Sequence, residues 1–218
     1  MAKALLLDFG SVISKSLFET LPDIESAYSL AEGSLAWHGP FAPEEDQLWS
    51  DMQAGNLSER EYYYTRSAEL SALVGKEQKI IDIIQQSRGS GPSERFVRPE
   101  ARAAVSSAKA AGCGVSILSN ELELFYGAEA MVGISLLGEM DHIIDATHTK
   151  ILKPDSRAYQ MAEEALDLPK ADIVFVDDQM KNIKGGEDYG LTCVFFDVLN
   201  PIDSYNQALA HLGAEPIS

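Results

Sequence analysis

The sequence predicts an α/β fold, a doubly wound parallel sheet with a small all-helical subdomain inserted after the first strand. Three observations predict it. Short apolar runs end abruptly in polar residues, as in Ala4-Leu5-Leu6-Leu7-Asp8 and Ile173-Val174-Phe175-Val176-Asp177-Asp178, which is how strands buried on both faces read. Beyond residue 92 such runs alternate with helix-length segments, and strands separated by helices imply right-handed crossovers. Between the first strand and the next, residues 16–86 carry helical spacing and no convincing strand.

Taken in order, Gly10 follows Asp8 by two residues and is expected to let the backbone turn sharply. Leu17, Leu21, Ile24 and Tyr28 fall on one helix face. Residues 33–43 form a loop holding Trp37 and His38, and 44–54 a helix broken by Gly55-Asn56. Ser58-Glu59-Arg60-Glu61 is a capping box, so a helix begins there and runs towards Val74. The isoleucines between 76 and 86 predict a further helix, and 87–92, Ser-Arg-Gly-Ser-Gly-Pro, reads as a flexible linker. Residues 15–90 are thus expected to be a cap, and 1–14 with 91–218 the core. In the core, helices are expected over 99–111, 121–131, 156–166, 183–189 and 204–212. Strands are expected over 115–118, 142–144, 173–176 and 192–196.

The balance of 34 acidic against 17 basic residues gives a formal charge of −17 over 218 residues. Such a chain repels phosphate backbones and anionic membranes, so neither nucleic acid nor a membrane is an expected partner. Cys113 and Cys193 sit in or beside apolar runs without Cys-x-x-Cys spacing, which suits reduced thiols in the cytoplasm. No apolar run approaches the length of a membrane span, and the few apolar residues before Asp8 are too short for a signal peptide.

Parallel strands point their carboxyl ends the same way, so Asp8, Ser119-Asn120 and Asp177-Asp178 share one rim of the sheet, where open α/β sheets bind ligands. Lys153 opens a helix and can reach that rim. Adjacent carboxylates repel unless a cation lies between them, and together these three offer the oxygen ligands that Mg²⁺ prefers. A hydroxyl, an amide and a lysine alongside can hold a tetrahedral oxyanion.

These residues resemble the haloacid dehalogenase (HAD) superfamily, on its phosphatase side. Four motifs match in order: Leu5-Leu6-Leu7-Asp8-Phe9-Gly10-Ser11-Val12; Ile117-Leu118-Ser119-Asn120; Lys153-Pro154-Asp155; and Val174-Phe175-Val176-Asp177-Asp178 with Asn182. The resemblance implies a Rossmann-like core and a Mg²⁺-dependent phosphatase acting on a small phosphorylated metabolite. It implies Asp8 as the nucleophile that becomes an aspartyl-phosphate. Asp8, the Gly10 carbonyl and Asp178 would hold Mg²⁺, with Asp177 close by. Ser119 and Lys153, helped by Ser11 and Asn120, would bind the phosphoryl group, and Lys153 would keep Asp8 ionised.

One departure bears on mechanism. Gly10 stands where most phosphatases of the superfamily carry a second aspartate, the general acid, and His148 and His38 are the candidates to replace it. Two alternatives stand beside the phosphatase. A 2-haloacid dehalogenase also uses an aspartate nucleophile but needs no metal. It is expected to carry an arginine early in the cap and no aspartate pair in the fourth motif, whereas the first arginine here is Arg60. The other alternative is a non-catalytic binding protein that retains the fold.

Overall fold

Leu5, Leu6 and Leu7 expose no surface, because the strand they form lies in the middle of the sheet. In the computed structural model, which describes residues 3–88 and 93–218, that strand is β1 (Ala4–Leu7). A wide turn over Phe9–Ile13 follows it. Then come α1 (Leu21–Ala27), α2 (Gln47–Gln53), α3 (Glu59–Val74) and α4 (Ile80–Arg88). After them the chain alternates: α5 (Pro99–Ala110), β2 (Gly114–Ser119), α6 (Leu122–Tyr126), α7 (Ala128–Val132), β3 (His142–Asp145), α8 (Ala146–Thr149), α9 (Ser156–Leu166), β4 (Ile173–Asp177), α10 (Met180–Tyr189), β5 (Thr192–Phe195) and α11 (Pro201–Leu212). The predicted linker positions Gly89, Ser90, Gly91 and Pro92 lie outside the described residues, whereas 87 and 88 belong to α4 rather than to a linker.

The five strands are all parallel, in the order β3-β2-β1-β4-β5. Side chains of a strand alternate between faces, and the two faces of β1 have different cores. Leu5 and Leu7 pack with Ala101, Ala104 and Val105 of α5 and with Tyr205, Ala208 and Leu209 of α11. Leu6 packs with Phe175 of β4, Tyr159 of α9 and Ile183 of α10. Register also sets the site. Leu7 pairs with Val176 of β4 and Ile117 of β2, so the next residue on each strand, Asp8 and Asp177, emerges side by side at the same rim.

The inserted helices have a core of their own, built from Phe18, Ile24, Leu35, Trp37, Met52, Tyr62, Leu70 and Ile83. Buried carboxylates fix its loops. Glu25 accepts from the Gly33 and Leu35 amides, at 3.0 and 2.9 Å. Asp46 accepts from the amides of His38, Gly39 and Trp49 and pairs with the buried Arg66. The chain enters and leaves this insertion through paired backbones. Ser14 bridges Val97 antiparallel, Lys15 N donates to Phe96 O at 2.7 Å, and Arg98 N to Ile13 O at 2.9 Å.

Two expectations need correction. Residues 121–131 form two short helices rather than one, because Gly127 takes a left-handed φ of 77° between them. Gly10 does not make the turn after Asp8. Its φ is −62°, and the left-handed residue is Ser11, at 59°. A Cβ on Gly10 would meet only Asp8 Oδ2, at 3.8 Å.

Candidate active site

The rim of the sheet gathers Asp8, Ser119, Lys153 and Asp177, all buried. Lys153 is the hub. Its ammonium donates to Asp8 Oδ1 at 2.7 Å and to Asp177 Oδ2 at 2.6 Å. Asn120 holds the lysine there by its backbone, accepting from Lys153 N at 2.7 Å and donating to Lys153 O at 3.1 Å. The Asn120 side chain is therefore engaged with the Lys153 loop. Asp177, with no exposed surface, also accepts from Gln179 N at 2.8 Å and Asn182 Nδ2 at 3.0 Å. Asp155 caps α9 through Arg157 N and so fixes the far side of the same loop.

These contacts set the charges. Burial opposes the charge on Lys153, but Asp177 and Asp8 outweigh it and push its ammonium above the usual range. Burial pushes the Asp8 carboxyl up to about 7, against the pull of Lys153 and with the push of Asp177. Asp178 is raised well above the usual range, by burial and then by Asp177, Asp8 and Glu59. The Asp8, Asp177 and Asp178 carboxylates bring oxygens within 4.8 Å of one another.

A cavity of about 80 Å³ opens in front of Asp8. The core contributes Ser11, Ser119, Asn120, Lys153, Gln179 and Asn182 to its wall. The inserted helices contribute Glu59 and Tyr63, and Lys15 stands in it as an exposed cation. Phe125 of α6 packs edge-on against Tyr63 at 5.3 Å, so aromatic rings from core and insertion meet over the cavity.

Sequence reasoning missed Glu59, Gln179 and Lys15. It also missed Arg98, a buried residue whose Nε donates to the Ser11 carbonyl at 2.8 Å while its fork binds Glu19. Only Glu59 had a sequence signal, because it follows the Ser58 cap of α3. The two histidines proposed as acids lie elsewhere. His148 is exposed and bonded to Glu123 at 2.8 Å, His38 lies 3.8 Å from Glu45, and neither lines the cavity.

A model of the haloacid dehalogenase-like hydrolase family matches residues 2–190. The chain belongs to that family. It is 31% identical over 194 residues to (S)-2-haloacid dehalogenase H-109 of Pseudomonas putida, an alignment spanning 80% of each chain. It is 32% identical over 111 residues to (S)-2-haloacid dehalogenase 1 of a Pseudomonas species, covering 50% of this chain and 48% of that enzyme. Its fold matches L-2-haloacid dehalogenase from Xanthobacter autotrophicus with a TM-score of 0.60 and 18% identity, over 89% of this chain and 77% of the other.

These matches overturn the Mg²⁺-dependent phosphatase and, with it, the phosphorylated metabolite. The family is a hydrolase family, but the similar enzymes are dehalogenases of 2-haloacids, the metal-free branch named above as the alternative. The site supplies part of the cation expected among the carboxylates from the chain itself, since Lys153 bridges Asp8 and Asp177 at hydrogen-bond distance. Of the two features weighed against a dehalogenase, one has a local explanation in part: Asp177 of the aspartate pair is the buried partner of Lys153. The other stands: Arg60, the first arginine, pairs with Glu121, and among the described residues no arginine lines the cavity.

Proposed function

We propose that this HAD-like hydrolase cleaves the carbon–halogen bond of a short 2-haloacid. The Asp8 carboxylate attacks C2 of the acid, the halide leaves with the bonding pair, and an ester links Asp8 to the substrate. Water then attacks the ester carbonyl, releasing the 2-hydroxyacid and restoring Asp8. One observation carries the reading: a buried aspartate at the end of a central strand, held by a lysine, lines a small cavity in a chain similar to 2-haloacid dehalogenases along most of its length. Lys153 orients Asp8 and stabilises its charged form. Lys15 and the Ser119 hydroxyl are the groups we assign to the substrate carboxylate. The rings of Tyr63 and Phe125 exclude water from the displacement step, and their apolar surface suits a departing halide.

We assign 15–90 to a cap and 1–14 with 91–218 to the core. The separate apolar cluster of the insertion and its paired entrance and exit support that division. Two thiols with no disulfide suit a cytoplasmic setting, and no helix among the described residues is long and apolar enough to cross a membrane.

The test is halide release from (S)- and (R)-2-chloropropionate in the presence of a chelator, with Asp8→Asn as control. The wild type should release halide from one enantiomer and the variant none. Halide release no faster than that of Asp8→Asn overturns the function. A single turnover in heavy-oxygen water should place the label in Asp8 and not in the first product. Label in that product would mean direct attack by water.

A further inference from the structure

Ester hydrolysis needs a base to take a proton from water, and Asp8 is consumed as the ester during that step. Among the described residues, the other carboxylates in the cavity wall are Glu59 and Glu121. Glu121 is occupied by Arg60. Asp177 is saturated by Lys153, Gln179 and Asn182, and neither it nor Asp178 lines the cavity. Glu59 makes no ion pair among the described residues. It is the first residue of α3, where the Ser58–Glu61 capping box fixes the helix start. It shares the cavity wall with Gln179 of the core, whose backbone N–H donates to Asp177, the partner of Lys153. A second observation points to water. Asn182 lines the same cavity, and its Oδ1 is a buried acceptor with no hydrogen-bond partner. Buried acceptors are rarely left bare, and a water is the usual partner.

We propose that Glu59 is the general base of ester hydrolysis, acting on a water that also donates to Asn182 Oδ1. The inference rests on the dehalogenase reading above. Glu59 takes one proton as the water oxygen bonds to Asp8 Cγ. The bond between Cγ and the product oxygen then breaks, and that oxygen takes the proton back from Glu59. The proton left on the Asp8 carboxyl passes to solvent. The surroundings of Glu59 favour this role. Burial raises its carboxyl, Gln179, Lys181 and Lys153 lower it, and Glu121 raises it, for a net upward shift that strengthens it as a base.

The experiment compares wild type with Glu59→Gln by rapid-quench halide release and intact mass, using the active enantiomer of 2-chloropropionate. Glu59→Gln should release about one halide per chain at a near wild-type rate. It should then stall, turning over about 10²-fold slower or more, and should carry a carboxyethyl ester on Asp8. Turnover within a few-fold of wild type with no adduct overturns the proposal. So does loss of the initial burst, because Glu59 would then serve only to seat the insertion. Should Glu59→Gln unfold, Glu59→Asp replaces it, keeping the charge while shortening its reach. Accumulated ester in that variant supports the base, and its absence overturns it. A wild type that releases no halide removes the dehalogenase reading, and this inference falls with it.

Discussion

The proposed mechanism needs Asp8 ionised to attack, yet burial and the neighbouring Asp177 hold its carboxyl at about 7 despite Lys153. Activity on a 2-haloacid should therefore rise with pH through about 7 and level off above it, as a pH profile of kcat/KM will show. Stability runs the other way. Between the ordinary carboxyl value of 3.8 and about 7, the folded state binds more protons than the unfolded state, so this group's contribution is full below that window and is lost as pH rises through it. Asp8→Asn is always neutral and should lose activity while melting higher than wild type at pH 8, by a few degrees in a thermal scan. A second residue-scale expectation concerns Lys15. Lys15→Gln should raise KM about tenfold with little change in kcat, the loss of roughly 1.4 kcal/mol of uniform substrate binding. An unchanged KM would assign the carboxylate to other groups. The place of Asp8 was legible in the sequence, since an apolar run ending in a carboxylate reads as a buried strand with that group at its carboxyl end. The turn was not, because φ at Gly10 and Ser11 depends on what Arg98 does to the Ser11 carbonyl, more than eighty residues away in the chain.

At the scale of elements, sequence and structure agree where local chemistry decides and part where partners are distant. The Ser58 capping box starts α3 because both of its hydrogen bonds are made within four residues. The start of α2 was misplaced because its cap, Asp46, also serves the amides of His38 and Gly39 and pairs with Arg66, twenty residues on. Arg66 lies against Trp37 and Tyr62 and bonds Glu69, so one guanidinium joins the loop, α2 and α3. Arg66→Met removes the partner of a buried carboxylate and should cost roughly 3–5 kcal/mol. Both tryptophans, Trp37 and Trp49, lie in the insertion. Their fluorescence in urea should therefore shift to lower denaturant more than the far-UV circular dichroism does. Coincident shifts of equal size would mean that insertion and core unfold as one unit.

For the whole molecule, charge and architecture give different kinds of information. A net charge of −17 surrounds a site proposed to take an anion, so the far field opposes the substrate and Lys15 and Lys153 must overcome it locally. Salt screens the distant charges more than the close ones. KM should thus fall several-fold as ionic strength rises from about 10 mM, where screening reaches about 30 Å, to about 150 mM, where it reaches about 8 Å. A KM that rises with salt would show that local attraction dominates at long range. The superfamily was legible because three motifs at strand ends and a fourth in the loop opening α9 are a spatial pattern written in sequence order. The branch was not. The same aspartates and lysine serve either chemistry, and the sequence does not show that the Lys153 ammonium lies within 2.7 Å of both Asp8 and Asp177.

The antiparallel bridge from Ser14 to Val97, with its flanking hydrogen bonds, has a consequence for change over time. To the sheet, everything from 15 to 96 is one long excursion whose two ends are already tied together. Lengthening a closed excursion is cheap, about 0.6 kcal/mol for each doubling. Helices there can be lost, gained or traded with little effect on Asp8 and Lys153. Residues such as Glu59 and Tyr63 are carried by the part freest to vary, while Asp8 is carried by the part least free. A lineage can then exchange what the insertion contributes, the proposed base included, while keeping the pairing of Asp8 with Lys153.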